Sequence, residues 1–174
     1  MKKTRSLVFA GLCVALGVAL PIAFHSIPNA GSIFLPMHIP VLLCGLLCGP
    51  WYGLACGVLA PLLSSLLTGM PPAAILPGML CELAVYGLVS GLMYRAAAGK
   101  RGGIYISLIT AMLAGRVVSG VLNALIFRAG NYSMQMWLAA SFVTALPGIA
   151  VQLVVIPLLA LALQKAKLAP ALRA

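Results

Sequence analysis

The stretch at residues 104–127, IYISLITAMLAGRVVSGVLNALIF, decides the fold class because it is apolar almost throughout. A helix that spans a bilayer needs about 20 predominantly apolar residues, and this stretch is long enough. One charged residue, Arg116, interrupts it near the middle. The stretch therefore predicts a transmembrane helix that carries a buried cation.

Five further stretches have the same character, at residues 7–24, 33–49, 51–68, 73–94 and 136–163. With the first stretch they occupy most of the 174 residues, so little chain remains for a domain outside the membrane. The sequence predicts an all-α fold, a compact bundle of six transmembrane helices that forms a single transmembrane domain over residues 1–174.

The composition agrees with a membrane protein and excludes most enzyme classes. Hydrophobic residues make up 63% of the chain and charged residues 7%, whereas soluble domains carry about 25% charged residues. With one acidic residue against 11 Lys and Arg, the chain lacks the paired carboxylates of most hydrolases, phosphotransferases and divalent-metal enzymes. The basic residues cluster between apolar runs, which is typical of cytoplasmic loops and not of a nucleic-acid-binding surface.

The five cysteines also lie inside apolar runs, without the Cys-x-x-Cys spacing of a zinc site or redox pair. Cys44 and Cys48 are one helical turn apart, but no nearby His or acidic residue completes a soft-metal shell. We expect no metal, no cofactor and no disulfide.

The distribution of Lys and Arg predicts that both termini are cytoplasmic, because short cytoplasmic loops retain basic residues. Nine of them fall on one side in a six-span arrangement: Lys2, Lys3, Arg5, Arg95, Lys100, Arg101, Lys165, Lys167 and Arg173. Two alternatives stay open. The uncharged turn at residues 48–53 also permits four crossings, and the basic N-terminus with its apolar run resembles a cleavable secretory signal.

Glu82 and Arg116 lie inside predicted spans, where a charge costs about 2.5–3.5 kcal/mol and usually serves a purpose. Counted from the same predicted outer surface on antiparallel helices, the two residues reach similar depths, so they can meet. One interpretation is a structural ion pair that joins the fourth and fifth helices. The other is a solute pocket in which Arg116 contacts the solute and Glu82 orients its guanidinium.

Other polar residues share helical faces with these charges or lie at the predicted outer surface. Ser119 and Asn123 follow Arg116 at one and two turns, and Tyr86 follows Glu82 at one turn. A further stripe in the last span comprises Trp137, Ser141, Thr144, Gly148 and Gln152. The predicted substrate-binding residues are Arg116, Glu82, Asn123, Tyr86, His38, Asn131 and Trp137. Helix capping or hydration remains an equal explanation for His38, and ordinary interfacial anchoring remains one for Trp137.

Small residues in the first span form a separate stripe. Gly11, Ala15 and Ala19 recur every four residues, and such small-xxx-small stripes allow helices to approach closely in lipid. The stripe therefore predicts a helix face that another helix can approach closely.

Together these motifs resemble one family. The stretches HIPVLLCGLLCGP at residues 38–50 and LAPLLSSLLTGMPP at residues 59–72 look like those of substrate-binding S components of energy-coupling factor (ECF) transporters. Glu82 with Tyr86-Gly87, the pair Gly115-Arg116, the six spans and the Ala15/Ala19 stripe are similar to that family as well.

The resemblance implies a non-catalytic, multi-pass subunit of the bacterial plasma membrane that binds a small water-soluble vitamin or vitamin precursor. It implies partners as well: a transmembrane coupling subunit, two ATPase subunits and the surrounding lipid. Gly11, Ala15 and Ala19 would contact the coupling subunit, whereas Arg116, Glu82, Asn123 and the outer loops would hold the substrate. The S component would topple in the membrane to release its cargo.

The residues themselves leave other functions open. The chain has no Gly-x-x-x-x-Gly-Lys-Ser/Thr loop, so energy from ATP must come from a partner. The main alternative is a stand-alone ion- or proton-coupled carrier that uses Glu82. An intramembrane enzyme is a weaker one, because Ser64-Ser65, or Cys81 next to Glu82, gives little basis for nucleophilic chemistry.

Overall fold

A computed structural model describes residues 2–23, 30–97, 100, 102–127, 130 and 132–166. Most of these residues are helical, with no strand among them. The α-helices are α1 (Lys2–Ala23), α2 (Ala30–Phe34), α3 (His38–Cys48), α4 (Pro50–Thr68), α5 (Leu76–Ala96), α6 (Gly103–Leu122), α7 (Met134–Leu138) and α8 (Leu146–Lys165). Two π-helical segments, Asn123–Phe127 and Ala139–Thr144, extend α6 and α7.

Among the residues that the structure describes, six helical segments are long and apolar enough to cross a membrane, which confirms the predicted fold class. Four of them correspond closely to predicted spans. The second span has two parts, because the chain bends between α2 and α3 at Leu35, whose φ is +50°, and Pro36. The side of the membrane on which the termini lie stays a prediction.

The predicted start of the sixth span was wrong by ten residues. The spanning helix begins at Leu146, and the preceding residues form α7 and a π-helical segment. Pro147 lies in the first turn of α8, where its missing N–H is tolerated, whereas inside one continuous helix it would remove a hydrogen bond.

Glycines bring α4 and α5 into backbone contact at the centre of the bundle, where α5 also packs against α3 and α6. Gly53 and Gly57 lie one turn apart on α4, and Gly87 and Gly91 repeat this spacing on α5. A methyl group on Gly87 would collide with the backbone of Gly53, and one on Gly57 would collide with the Leu83 carbonyl. The two helices therefore meet through paired small-xxx-small motifs, which suit packing in lipid.

Helix α1 packs against α3 and α4 through one face and leaves the opposite face uncovered. Cys13 and Gly17 are buried on the inner face, and a Cβ on Gly17 would lie 2.7 Å from the Ala60 methyl. Gly11, Ala15 and Ala19 are exposed on the outer face. The five cysteines, four of them buried, are free thiols.

Helices α1, α4 and α6 end, and α3, α5 and α8 begin, around one cavity. We call this end of the bundle the cavity end. The connections there are the bend between α2 and α3, the turn between α4 and α5, and the segment that contains α7.

Candidate solute-binding site

The cavity has a volume of about 500 Å³ and lies among the helix ends described above. Sites for small molecules commonly measure about 300–1,000 Å³ and combine apolar walls with a few polar groups. The polar groups here are Ser32, His38, Glu82, Arg116, Ser119, Asn123, Tyr132 and Ser141. The larger apolar side chains are Pro21, Leu35, Pro36, Met37, Met70, Pro71, Pro72, Ile75 and Met79. The cavity thus has the size and lining of a small-molecule site.

Arg116 is a nearly buried residue of this lining, with 3% of its surface exposed. Its Nε donates a hydrogen bond to the Tyr86 hydroxyl at 2.9 Å. Its guanidinium carbon lies 5.6 Å from the centre of the Phe142 ring, which is within the range of a cation–π contact. The indole Nε1 of Trp137 donates to its backbone carbonyl at 3.0 Å. Aromatic residues of α5, α7 and the second π-helical segment therefore hold Arg116 in place.

Glycines make room for these aromatic side chains. A Cβ on Gly115 would collide with the Tyr86 ring, and a Cβ on Gly120 would collide with the Trp137 indole. Because Gly115 has no side chain, the Tyr86 ring can lie against the α6 backbone next to Arg116. Tyr86 itself is fully buried and does not line the cavity.

The hydrogen-bond donors of the Arg116 guanidinium are only partly satisfied by the described residues. Nη1 of Arg116 is buried, and none of the described residues accepts a hydrogen bond from it. A buried donor without a partner costs about 1–3 kcal/mol, and more when it is charged. A solute that supplies an acceptor would recover this free energy.

Glu82 and Arg116 line the same cavity, but their side chains form no ion pair within 4.0 Å in the described part of the chain. Oε1 of Glu82 is 4.0 Å from Nε2 of His38, too far for a hydrogen bond. The expected direct pair is thus replaced by an arrangement in which Tyr86 contacts the guanidinium.

His38 begins α3 and borders the cavity, with 3% of its side chain exposed. Its ring packs edge-on against Tyr86, with centroids 5.3 Å apart. Within the described ranges, its Nδ1 has no hydrogen-bond partner. His38 therefore offers the cavity a second buried polar group.

Asn123 lines the cavity where α6 passes into the first π-helical segment. Its Nδ2 donates to the Ser119 carbonyl at 2.8 Å, and the amide fits against Gly78 of α5. Nδ2 also donates to the Ser119 hydroxyl at 3.3 Å, so both of its N–H groups have an acceptor and the amide oxygen is the atom that remains for a solute.

The remaining predicted residues do not all line the cavity. Trp137 is half-buried and supports Arg116, but it does not line the cavity. Asn131 lies outside the described residues. In the predicted stripe of the last span, Ser141 lines the cavity, whereas the Gln152 amide lies 3.5 Å from the Leu35 carbonyl and Thr144 is exposed. The π-helical segment and the start of α8 shift the phase of the helix, so the stripe does not form one face.

Met70, Pro71 and Pro72 belong to an outer loop that was expected to hold the substrate, and they line the cavity. Sequence reasoning missed Met79 and the role of Phe142, since single apolar residues carry no signal of their own. In the part of the chain that the structure describes, no group of three or more His, Cys, Asp or Glu is arranged to hold a metal ion. The polar and apolar residues of the cavity lining suit recognition of an organic solute by hydrogen bonds and apolar contact.

Comparison with known proteins identifies the family. Residues 5–160 match the family described as ECF transporter, substrate-specific component. No curated protein and no solved structure matches the chain significantly. The match covers most of the 174 residues, and such components are transport subunits that bind a small molecule and are not catalytic. The chain therefore belongs to the substrate-specific components of ECF transporters.

Proposed function

We propose that this chain binds a small water-soluble vitamin or vitamin precursor in the cavity and delivers it through an ATP-driven ECF module of the bacterial plasma membrane. The observation that carries the proposal is the buried Arg116, which is one of the residues that line the cavity and has a guanidinium donor, Nη1, that no described residue satisfies. A cation of this kind inside a transmembrane bundle favours a binding role.

The cavity can hold such a solute without any catalytic group. The Arg116 guanidinium supplies donors for a carbonyl, carboxylate or ring nitrogen of the solute. Asn123 and Glu82 supply acceptors for its donor groups. Proline and methionine side chains of the lining, including Pro71 and Met79, supply apolar contact for a ring of the solute.

Delivery requires partners, because the sequence has no phosphate-binding loop for ATP. We propose that a transmembrane coupling subunit docks on the exposed stripe Gly11, Ala15 and Ala19 and that two ATPase subunits supply the energy. The exposed side chains beside this stripe, such as Leu12 and Leu16, are apolar. That surface suits contact with lipid and with another helix, and the stripe allows close approach.

Reconstitution of the chain in liposomes, alone and with a coupling subunit and ATPases, tests this function. The solute is the compound released from the purified chain on denaturation. We expect uptake only with the complete module and ATP, and we expect Arg116→Ala to abolish binding of that compound. Arg95→Ala, which removes an exposed arginine at the opposite end of α5, is the matched control and should bind normally. Undiminished uptake by the lone chain would instead support the carrier that uses Glu82.

A further inference from the structure

The charged residues of the cavity lining determine which classes of solute can bind tightly. Arg116 is the cation and Glu82 the carboxylic acid of the described lining, and with Glu82 ionised and His38 uncharged their formal charges sum to zero. Most of the remaining wall is proline, methionine and other apolar residues. In such surroundings a charged group is poorly solvated, so the net charge of a bound solute has a large effect on its affinity.

The two charged residues need complementary partners. Among the described residues, Nη1 of Arg116 has no acceptor, and Glu82 forms no ion pair shorter than 4.0 Å. The Glu82 side chain keeps 22% of its surface accessible, and it faces the same cavity as Arg116. One solute that touches both residues would have to accept a hydrogen bond from the guanidinium and donate one to the carboxylate.

The three charge classes of solute differ in how well they meet these needs. An anion would satisfy Arg116 but would bring a second negative charge close to Glu82. A cation would satisfy Glu82 but would leave the guanidinium donor without an acceptor. An uncharged edge with a carbonyl oxygen beside an N–H satisfies both residues and adds no net charge to the cavity.

We propose that the cavity selects solutes without net charge that present a hydrogen-bond acceptor and donor side by side, such as a carboxamide, a lactam or the amide edge of a pyrimidinone ring. This inference rests on the proposed function, because it names the solute class of the same site. The proposal predicts that neutral compounds bind more tightly than carboxylate vitamins of similar size.

The first experiment identifies the solute without assuming it. The full chain and Arg116→Ala are purified in detergent from cells grown in rich medium, denatured, and the released compounds are compared by mass spectrometry and by ion exchange at pH 7. We expect a compound without net charge that only the wild-type chain retains. An anion retained in the same Arg116-dependent way would overturn this inference and leave the proposed function intact. No Arg116-dependent compound at all would contradict the proposed function, and the inference with it.

The second experiment tests the role of Glu82 with the isosteric change Glu82→Gln, which removes the charge and keeps the shape. Affinity for the released neutral compound should fall about ten- to hundredfold, because a charge-assisted hydrogen bond contributes about 1.5–3 kcal/mol. The carboxylate analogue of that compound should bind more tightly to Glu82→Gln than to the wild type. Unchanged affinities for both compounds in a variant that keeps the wild-type unfolding temperature would overturn the inference.

Discussion

Removal of the Tyr86 hydroxyl tests whether Arg116 must be held in place to bind a solute. In Tyr86→Phe the ring still packs against Gly115, but Nε of Arg116 loses the acceptor that now lies at 2.9 Å. A hydrogen bond to a charged group contributes about 1.5–3 kcal/mol, which corresponds to about ten- to hundredfold in affinity when all of it serves to orient the guanidinium. We therefore expect the Kd for the compound released from the wild-type chain to rise within that range.

Isothermal titration calorimetry on the detergent-purified chain measures this Kd directly. Tyr94→Phe removes a hydroxyl from the same helix, at the end that does not form the cavity, where Nε2 of Gln164 donates to it at 3.4 Å. That variant should bind as the wild type does. If Tyr86→Phe and Tyr94→Phe have the same Kd, then the Tyr86 hydroxyl does not orient Arg116 for binding, and the reasoning fails.

Two further predictions concern the helix contacts. Gly87→Ala should lower the unfolding temperature by several degrees, because the new methyl collides with the Gly53 backbone and overpacking costs about 1–3 kcal/mol, whereas Gly11→Ala meets open space and should not. Equal unfolding temperatures for the two variants would show that the glycine contact is not tight. Ala15→Trp should keep the Kd for the solute but stop ATP-driven uptake in liposomes, while Val117→Trp, which is exposed on α6, should transport normally. Normal transport by Ala15→Trp would mean that the coupling subunit docks elsewhere.

The sequence was sufficient to predict the six spans, because the thickness of a bilayer sets their length and apolar composition marks them directly. It also identified the intramembrane charges, since a charge at that depth is rare. It did not predict the glycine contacts between α4 and α5, although the motifs were visible: small residues show that a close approach is possible, but not which helix approaches.

The details of the site were harder to predict for a geometric reason. Counting residues along two helices gives the depth of Glu82 and Arg116, but not the direction in which each side chain points around its helix. Tyr86 therefore contacts the guanidinium where a direct pair with Glu82 was expected. The late start of α8 did have a signal in Pro147, which the apolar run around it obscured.

Helix α5 lines the cavity near its start and packs closely against neighbouring helices further along its length. This separation affects how the binding site can change by mutation. Ile75 and Met79 shape the cavity near the start of the helix, whereas Gly87 and Gly91 lock it to its neighbours further along. A substitution at Ile75 or Met79 changes the shape of the cavity and leaves the glycine contacts between the helices unchanged. Laboratory evolution of this chain toward a new nutrient should thus accumulate changes near Met79 and preserve both glycines.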